Sequence, residues 1–254
     1  MCLAVAKKKF PVIDETVLYR SKYAATDLKE ALREVYGNRT IGDIKTCRVV
    51  IPAVNLVTGK PVTFKTPHQP HFIRDRHFYA VDVALATAAA PTYFPQATVQ
   101  PGSSYTDGGL WANNPSIVAF AEAMKIREAC NRPEIDPVFE PQDVFMLSIG
   151  TGEPKYYAQP GPTDDGLLWW APQLFDVAGG AQSQGTHAQA RYLMGDDRYI
   201  RIDFKMPSVP WKLDDVNALP QLFLYGDEAA VESYPRLKES FFSVPTPEYH
   251  PFNH

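Results

Sequence analysis

A chain of 254 residues can bury one sizeable core, and its 45% hydrophobic and 21% charged content are ordinary globular values. A net charge of -4 and a pI near 5.9 leave no basic face of the kind that nucleic-acid binding needs. Cys2, Cys47 and Cys130 are far apart and odd in number, so they give neither a disulfide framework nor a metal-ligand spacing, and a reducing, cytoplasmic setting is predicted.

At the N-terminus the apolar residues precede Lys7, Lys8 and Lys9, the reverse of a secretory signal. The least polar run, Val83 to Pro91, is far shorter than a membrane span. No period is legible before Tyr23. Thr26 is then predicted to cap a helix whose stripe is Leu28, Ala31, Leu32 and Val35, with Gly37 closing it. Arg48 to Ile51 reads as a buried strand continued past Pro52 by Val54 to Val57. Thr58-Gly59 turns the chain, and Val62-Thr63-Phe64 returns beside it. His68, His71 and His77 lie in a Pro-broken loop where no Cys or carboxylate cluster completes a metal set. They read as loop histidines, exposed or bonded to backbone.

Tyr79 to Ala90 is a helix of mostly small residues, stopped by Pro91. It leads to Tyr105-Thr106-Asp107-Gly108-Gly109. An acid followed by two glycines presents one carboxylate on a tight turn, although Asp-Gly is also a common turn dipeptide. Asn114 is predicted as the N-cap of the next helix, with Pro115 at its first position and Ile117, Phe120, Ala121 and Met124 as its stripe. Val144 to Ile149 reads as a strand buried on both faces, ending in Gly150-Thr151-Gly152. Trp169-Trp170 reads as core or crevice packing, with lipid contact as the alternative. Ala178 to Leu193 is predicted helical, Arg198 to Phe204 a half-buried strand, and the end, with Leu222 to Leu224 and Ala229 to Phe242, helical around Pro235. Strands alternating with helices, without a repeat or linker, predict one α/β domain.

Ala86 to Pro95, Tyr105 to Gly109, Asn113-Asn114-Pro115 and Leu147 to Gly152, in that order, resemble the patatin-like phospholipases. The likeness spans residues 23–193 and places residues 1–254 in a single domain of that type. It implies an α/β three-layer sandwich with a mainly parallel central sheet. It also implies a serine acyl hydrolase that needs no cofactor or metal, acting on a lipid ester or phospholipid at a membrane surface. The family uses a Ser-Asp dyad. Asp107 matches its base and orienting carboxylate, and Gly108 and Gly109 complete the motif.

The serine is the part that does not match. No G-x-S-x-G occurs in the 254 residues. The nearest approach, Gly180-Ala181-Gln182-Ser183-Gln184-Gly185, has one residue too many and follows Asp107 where the family's elbow precedes it. Ser103 and Ser104 read as turn formers. The expectation is therefore the C-terminal portion of such a domain, either cut by its gene model, with the Gly-rich oxyanion loop and elbow serine encoded upstream of Met1, or naturally truncated. In a serine protease, loss of the nucleophile costs about 2 × 10⁶ in turnover. The chain taken literally is thus expected to be inactive or nearly so. A non-catalytic lipid-binding or regulatory role is the alternative. A Cys47 hydrolase is a weaker one, since Cys47 precedes a buried strand.

Overall fold

The structure, a computed structural model, describes residues 20–129, 139–153, 174–206, 211–245 and 249–250. The chain divides into two compact units. One comprises Met1–Ala112, Ala121–Val138 and Pro247–His254; the other comprises Asn113–Phe120 and Phe139–Thr246.

In the first unit, α1 (Ala25–Tyr36) buries Leu28, Ala31 and Leu32. Val35 is 42% exposed, so the stripe stops one turn earlier than its spacing predicts. Gly37 closes the helix at φ 58°, and its N–H donates to the Arg33 carbonyl at 2.8 Å. The N-cap is Ala24, which makes no side-chain bond; Thr26 lies within the first turn.

β1 (Val50–Asn55) and β2 (Lys60–Lys65) form an antiparallel hairpin around Gly59 at φ 66°. β3 (Tyr105–Asp107) joins the free side of β1, also antiparallel, giving the order β2-β1-β3. Pro52 sits in this central strand, where a missing N–H normally breaks the ladder. Here it costs no bond to β3, because β3 ends at Asp107, opposite Ala53. α2 (Ala80–Ala88) packs small side chains on this sheet: Val83 and Ala86 are fully buried beside Ala53, Phe64 and Tyr105. The Phe64 ring meets Tyr105 and Phe78 edge-on, with centroids 5.1 and 6.0 Å apart.

The short α3 (Gly109–Ala112) follows β3, and α4 (Ser116–Glu128) follows it. In the second unit, β4 (Met146–Ile149) pairs in parallel with β5 (Tyr199–Ile202), and α5 (Leu174–Met194) connects them. Ala190, Met194 and Tyr199 form the core there, against Ile117, Phe120, Val144 and Met146. β4 is not buried on both faces: Phe145, just before it, is 51% and Ile149 71% exposed, and only β5 pairs with it among the described residues. α6 (Leu219–Ser240) runs unbroken through Pro235. Trp169-Trp170 lies outside the described residues. The class is α/β; its antiparallel sheet lies in the first unit and its parallel pair in the second. No helix among the described residues is long and apolar enough to cross a membrane.

Candidate active site at Asp107

Asp107 is the last residue of β3, and the backbone around it is held from two sides. Its N–H donates to the Ala89 carbonyl at 3.1 Å, and the Gly108 N–H points to the Thr87 carbonyl at 3.4 Å. Two hydroxyls reinforce the clamp. Thr106 Oγ1 donates to the Ala89 carbonyl, and Thr87 Oγ1 to the Pro52 carbonyl, each at 2.7 Å. The Trp111 indole adds a bond to the Ala53 carbonyl at 2.9 Å. The run of small residues ending α2 allows this close approach of backbone to backbone.

Gly108 is required by contact. A Cβ there would lie 2.2 Å from the Pro52 carbonyl oxygen and 2.6 Å from its carbon. The second glycine supplies a donor: Gly109 N–H reaches Asp107 Oδ1 at 2.7 Å. Oδ2 has no hydrogen-bond partner among the described residues. Burial pushes the Asp107 carboxyl above its usual range, and the Gly109 N–H pulls partly the other way. A carboxylate raised by burial and open on one oxygen is suited to receive a proton. Upstream, Thr92 is held at φ 71°, a conformation that costs a β-branched residue about 1–3 kcal/mol. Its carbonyl accepts from Lys22 N–H and that of Tyr93 from Tyr23 N–H, each at 2.8 Å.

The serines considered from sequence serve local structure. Ser103 Oγ accepts from the Val99 and Gln100 N–H groups and donates to the Gln100 carbonyl, as a turn former does. Ser104 Oγ donates to Gln96 Oε1 at 2.5 Å. Ser183 lies inside α5, not at a strand-to-helix elbow, and its carbonyl accepts from Asn114 Nδ2 at 3.3 Å.

Two other motifs belong to one polar network in the second unit. Asn114 Oδ1 accepts from Ser116 N–H at 3.1 Å, which makes it the expected N-cap of α4. Ser116 Oγ lies 2.6 Å from that oxygen and 3.0 Å from Ser148 Oγ. Arg201 donates to Ser148 Oγ at 2.8 Å and to Asp203 at 2.5 Å, and Asp203 Oδ1 accepts from Gly152 N–H at 2.9 Å. Gly150 must be bare, since a Cβ would lie 1.9 Å from Asp203 Oδ2.

One cluster escaped the sequence reading. His68 is neither exposed nor backbone-bonded: it is buried, with Nδ1 2.9 Å from Thr66 Oγ1 and Nε2 3.0 Å from Glu122 Oε1. Lys65 Nζ bonds the other Glu122 oxygen. Burial raises a carboxyl, but the hydrogen bonds from His68 and Lys65 outweigh it and hold Glu122 at about 2. The order hydroxyl, imidazole, carboxylate imitates a nucleophile relay. Thr66 is fully buried, however, and its Oγ1 accepts from Val49 N–H at 3.0 Å, so no substrate reaches it. Glu122 lies off the Ile117, Phe120, Ala121 and Met124 stripe of α4, so the pattern gave no signal for its burial. The fully bonded Ser116 and Glu122 are buried, and Ala121 of the predicted stripe is exposed. Cys47 is exposed and its Sγ lies 3.9 Å from Thr46 Oγ1.

A family model described as patatin-like phospholipase matches residues 3–120. Three relatives bear the description cGAMP-activated phospholipase. The one from Vibrio cholerae is 35% identical over 249 residues, covering 91% of this chain and 68% of the relative. That from Pseudomonas aeruginosa is 38% identical over 203 residues (80% and 57%), and that from Escherichia coli 42% over 139 residues (54% and 37%). The chain thus spans about two thirds or less of each of these relatives.

Proposed function

The chain belongs to the patatin-like phospholipase family, and from that premise we propose that it carries the base half, Asp107, of a Ser-Asp dyad that hydrolyses lipid esters, the elbow serine not being among these 254 residues. The Asp107 carboxylate takes the proton of a serine hydroxyl, the serine attacks the acyl carbonyl and expels the alcohol half of the ester, which receives that proton, and water then cleaves the acyl-enzyme to the free acid and the serine. Phospholipid at a membrane surface is the substrate, in a cytoplasmic setting. The observation that carries this reading is the open Oδ2 of a burial-raised carboxyl, inside the family's Asp-Gly-Gly turn. Because three relatives are described as cGAMP-activated, we extend the proposal to a nucleotide that switches hydrolysis on.

A second reading has its own support. No G-x-S-x-G stands in these 254 residues, which favours a lipid-binding or regulatory protein that keeps the fold without the chemistry. Fatty-acid release from phosphatidylglycerol–phosphatidylethanolamine vesicles, with and without cyclic GMP–AMP, decides between the two. Release that disappears in Asp107→Ala supports the hydrolase. Equal release from both proteins removes Asp107 from the mechanism, and vesicle binding without release selects the regulatory reading.

A further inference from the structure

Within the first unit, Lys65, Gln69, His71, Phe72, Lys125 and Glu128 line a cavity of about 330 Å³. That is the small end of the roughly 300–1,000 Å³ usual for small-molecule sites. We propose that this cavity is a nucleotide site, taking the phosphate of one nucleotide unit on Lys65 and Lys125 and its base on Phe72. The proposal rests on the nucleotide-switched reading above and gives that switch a location.

The lining supplies each recognition element a phosphorylated base needs. Lys65 is held in place from beneath: Glu122 bonds its ammonium and is itself shared with His68. An ammonium has three donors, so this pairing leaves capacity for a second anion. Lys125 is exposed and has no ion-pair partner among the described residues. Two cations around one opening favour a phosphate, and a lysine binds it as a point charge.

Phe72 offers the flat surface. Lys65 Nζ lies over its ring, 4.9 Å from the centroid, so the charge takes one face, and the His68 ring stands edge-on at 5.2 Å; the base is assigned to the other face. The His71 ring stands edge-on to it at 4.6 Å. Stacking on an aromatic ring is worth about 1–3 kcal/mol per base and needs no particular base. Acceptors complete the set. Gln69 is buried, and its Nε2 donates to the Lys125 carbonyl at 3.1 Å, which fixes the amide and leaves Oε1 to accept. Glu128 adds a carboxylate with no partner among the described residues. A carboxylate repels a bare anion but accepts from a ring N–H or an exocyclic amine. The combination therefore favours a nucleotide over inorganic phosphate. The volume accommodates one unit, so a cyclic dinucleotide would leave its second half outside.

Titration calorimetry on the full chain tests this, with AMP, cyclic GMP–AMP, adenosine and inorganic pyrophosphate as probes. AMP and cyclic GMP–AMP should bind at one site, with adenosine and pyrophosphate each at least ten-fold weaker. Lys125→Ala and Phe72→Leu should each weaken AMP at least ten-fold; Lys125 is exposed, so its melting curve should stay unchanged, whereas Phe72 touches Lys65 and His68, and leucine keeps an apolar side chain there. No binding of either nucleotide overturns the proposal. So does pyrophosphate binding as tightly as AMP, or nucleotide binding that ignores both substitutions. Hydrolysis is read separately. Binding lost in the variants while hydrolysis never responds to nucleotide keeps the site and rejects the switch. Hydrolysis that responds equally in wild type and both variants keeps the switch and rejects the site.

Discussion

Two acids of the first unit, Asp107 and Glu122, are both largely enclosed and meet opposite fates. Among the described residues Asp107 accepts one hydrogen bond, from Gly109, and burial raises its carboxyl. Glu122 is bonded on both oxygens, by His68 and Lys65, and is held at about 2. The same desolvation acts on each, so the partners decide. An acid with an oxygen to spare can take a proton during a reaction. An acid bonded on both sides can only hold its neighbours together. The hydroxyl-imidazole-carboxylate sequence at Thr66, His68 and Glu122 is thus less suited to chemistry than the simpler turn at Asp107.

The largest test of this contrast is functional. Asp107→Ala should lower nucleotide-stimulated fatty-acid release by about 10⁴-fold or more, on the scale of the aspartate loss in a serine protease triad. Glu122→Gln should leave the rate without nucleotide within a few-fold. Next comes stability. Glu122→Ala leaves Lys65 and His68 without their shared acceptor and should cost about 3 kcal/mol in urea unfolding. A cost under about 1 kcal/mol would refute the structural role.

Gly108→Ala should cost about as much, near 3 kcal/mol, because the methyl meets the Pro52 carbonyl and overpacks a clamped turn. Calorimetric melting measures it, and an unchanged midpoint would show that the turn can move away.

The pH dependence separates the two acids by sign. Glu122 has a lowered folded value, so its stabilising contribution is complete above the ordinary carboxyl value of 4.5 and is lost as pH falls towards about 2. Asp107 is the reverse: its neutral form suits the fold, and stability declines as pH rises through its raised value. Asp107→Asn should therefore stabilise the protein at pH 7, read as a higher urea midpoint. The gain should vanish below pH 3.8, where the wild-type carboxyl is protonated both folded and unfolded. Equal stability of the two proteins at pH 7 would deny that burial strains the charge. The smallest effect belongs to Ser183→Ala, within about 0.5 kcal/mol and with unchanged hydrolysis. A large loss of hydrolysis there would make Ser183 the nucleophile.

Local punctuation made much of the chain legible. Gly37, the Thr58-Gly59 turn and the Asn114-Pro115 cap each act through their own backbone or a neighbour two to four residues away. The helix around Pro235 was legible too, since neighbouring turns can carry a helix past one missing donor. The reach of β4 was misjudged because a continuous apolar run reports hydrophobicity, whereas burial on two faces depends on what is packed there. His68 and Glu122 are 54 positions apart in the chain, and no periodicity links a loop histidine to an acid on a later helix.

What the sequence determined by itself is the family and the Asp-Gly-Gly turn, because the small residues, the acid and the two glycines are contiguous and their constraint is steric. Tertiary structure decided the rest. It made Gly108 obligatory through Pro52, gave Asp107 its burial and Glu122 its partners, and turned Lys65 and Lys125 towards one cavity. Desolvation and charge pairing depend on which distant groups come within a few ångströms, and that is set only when the chain has folded.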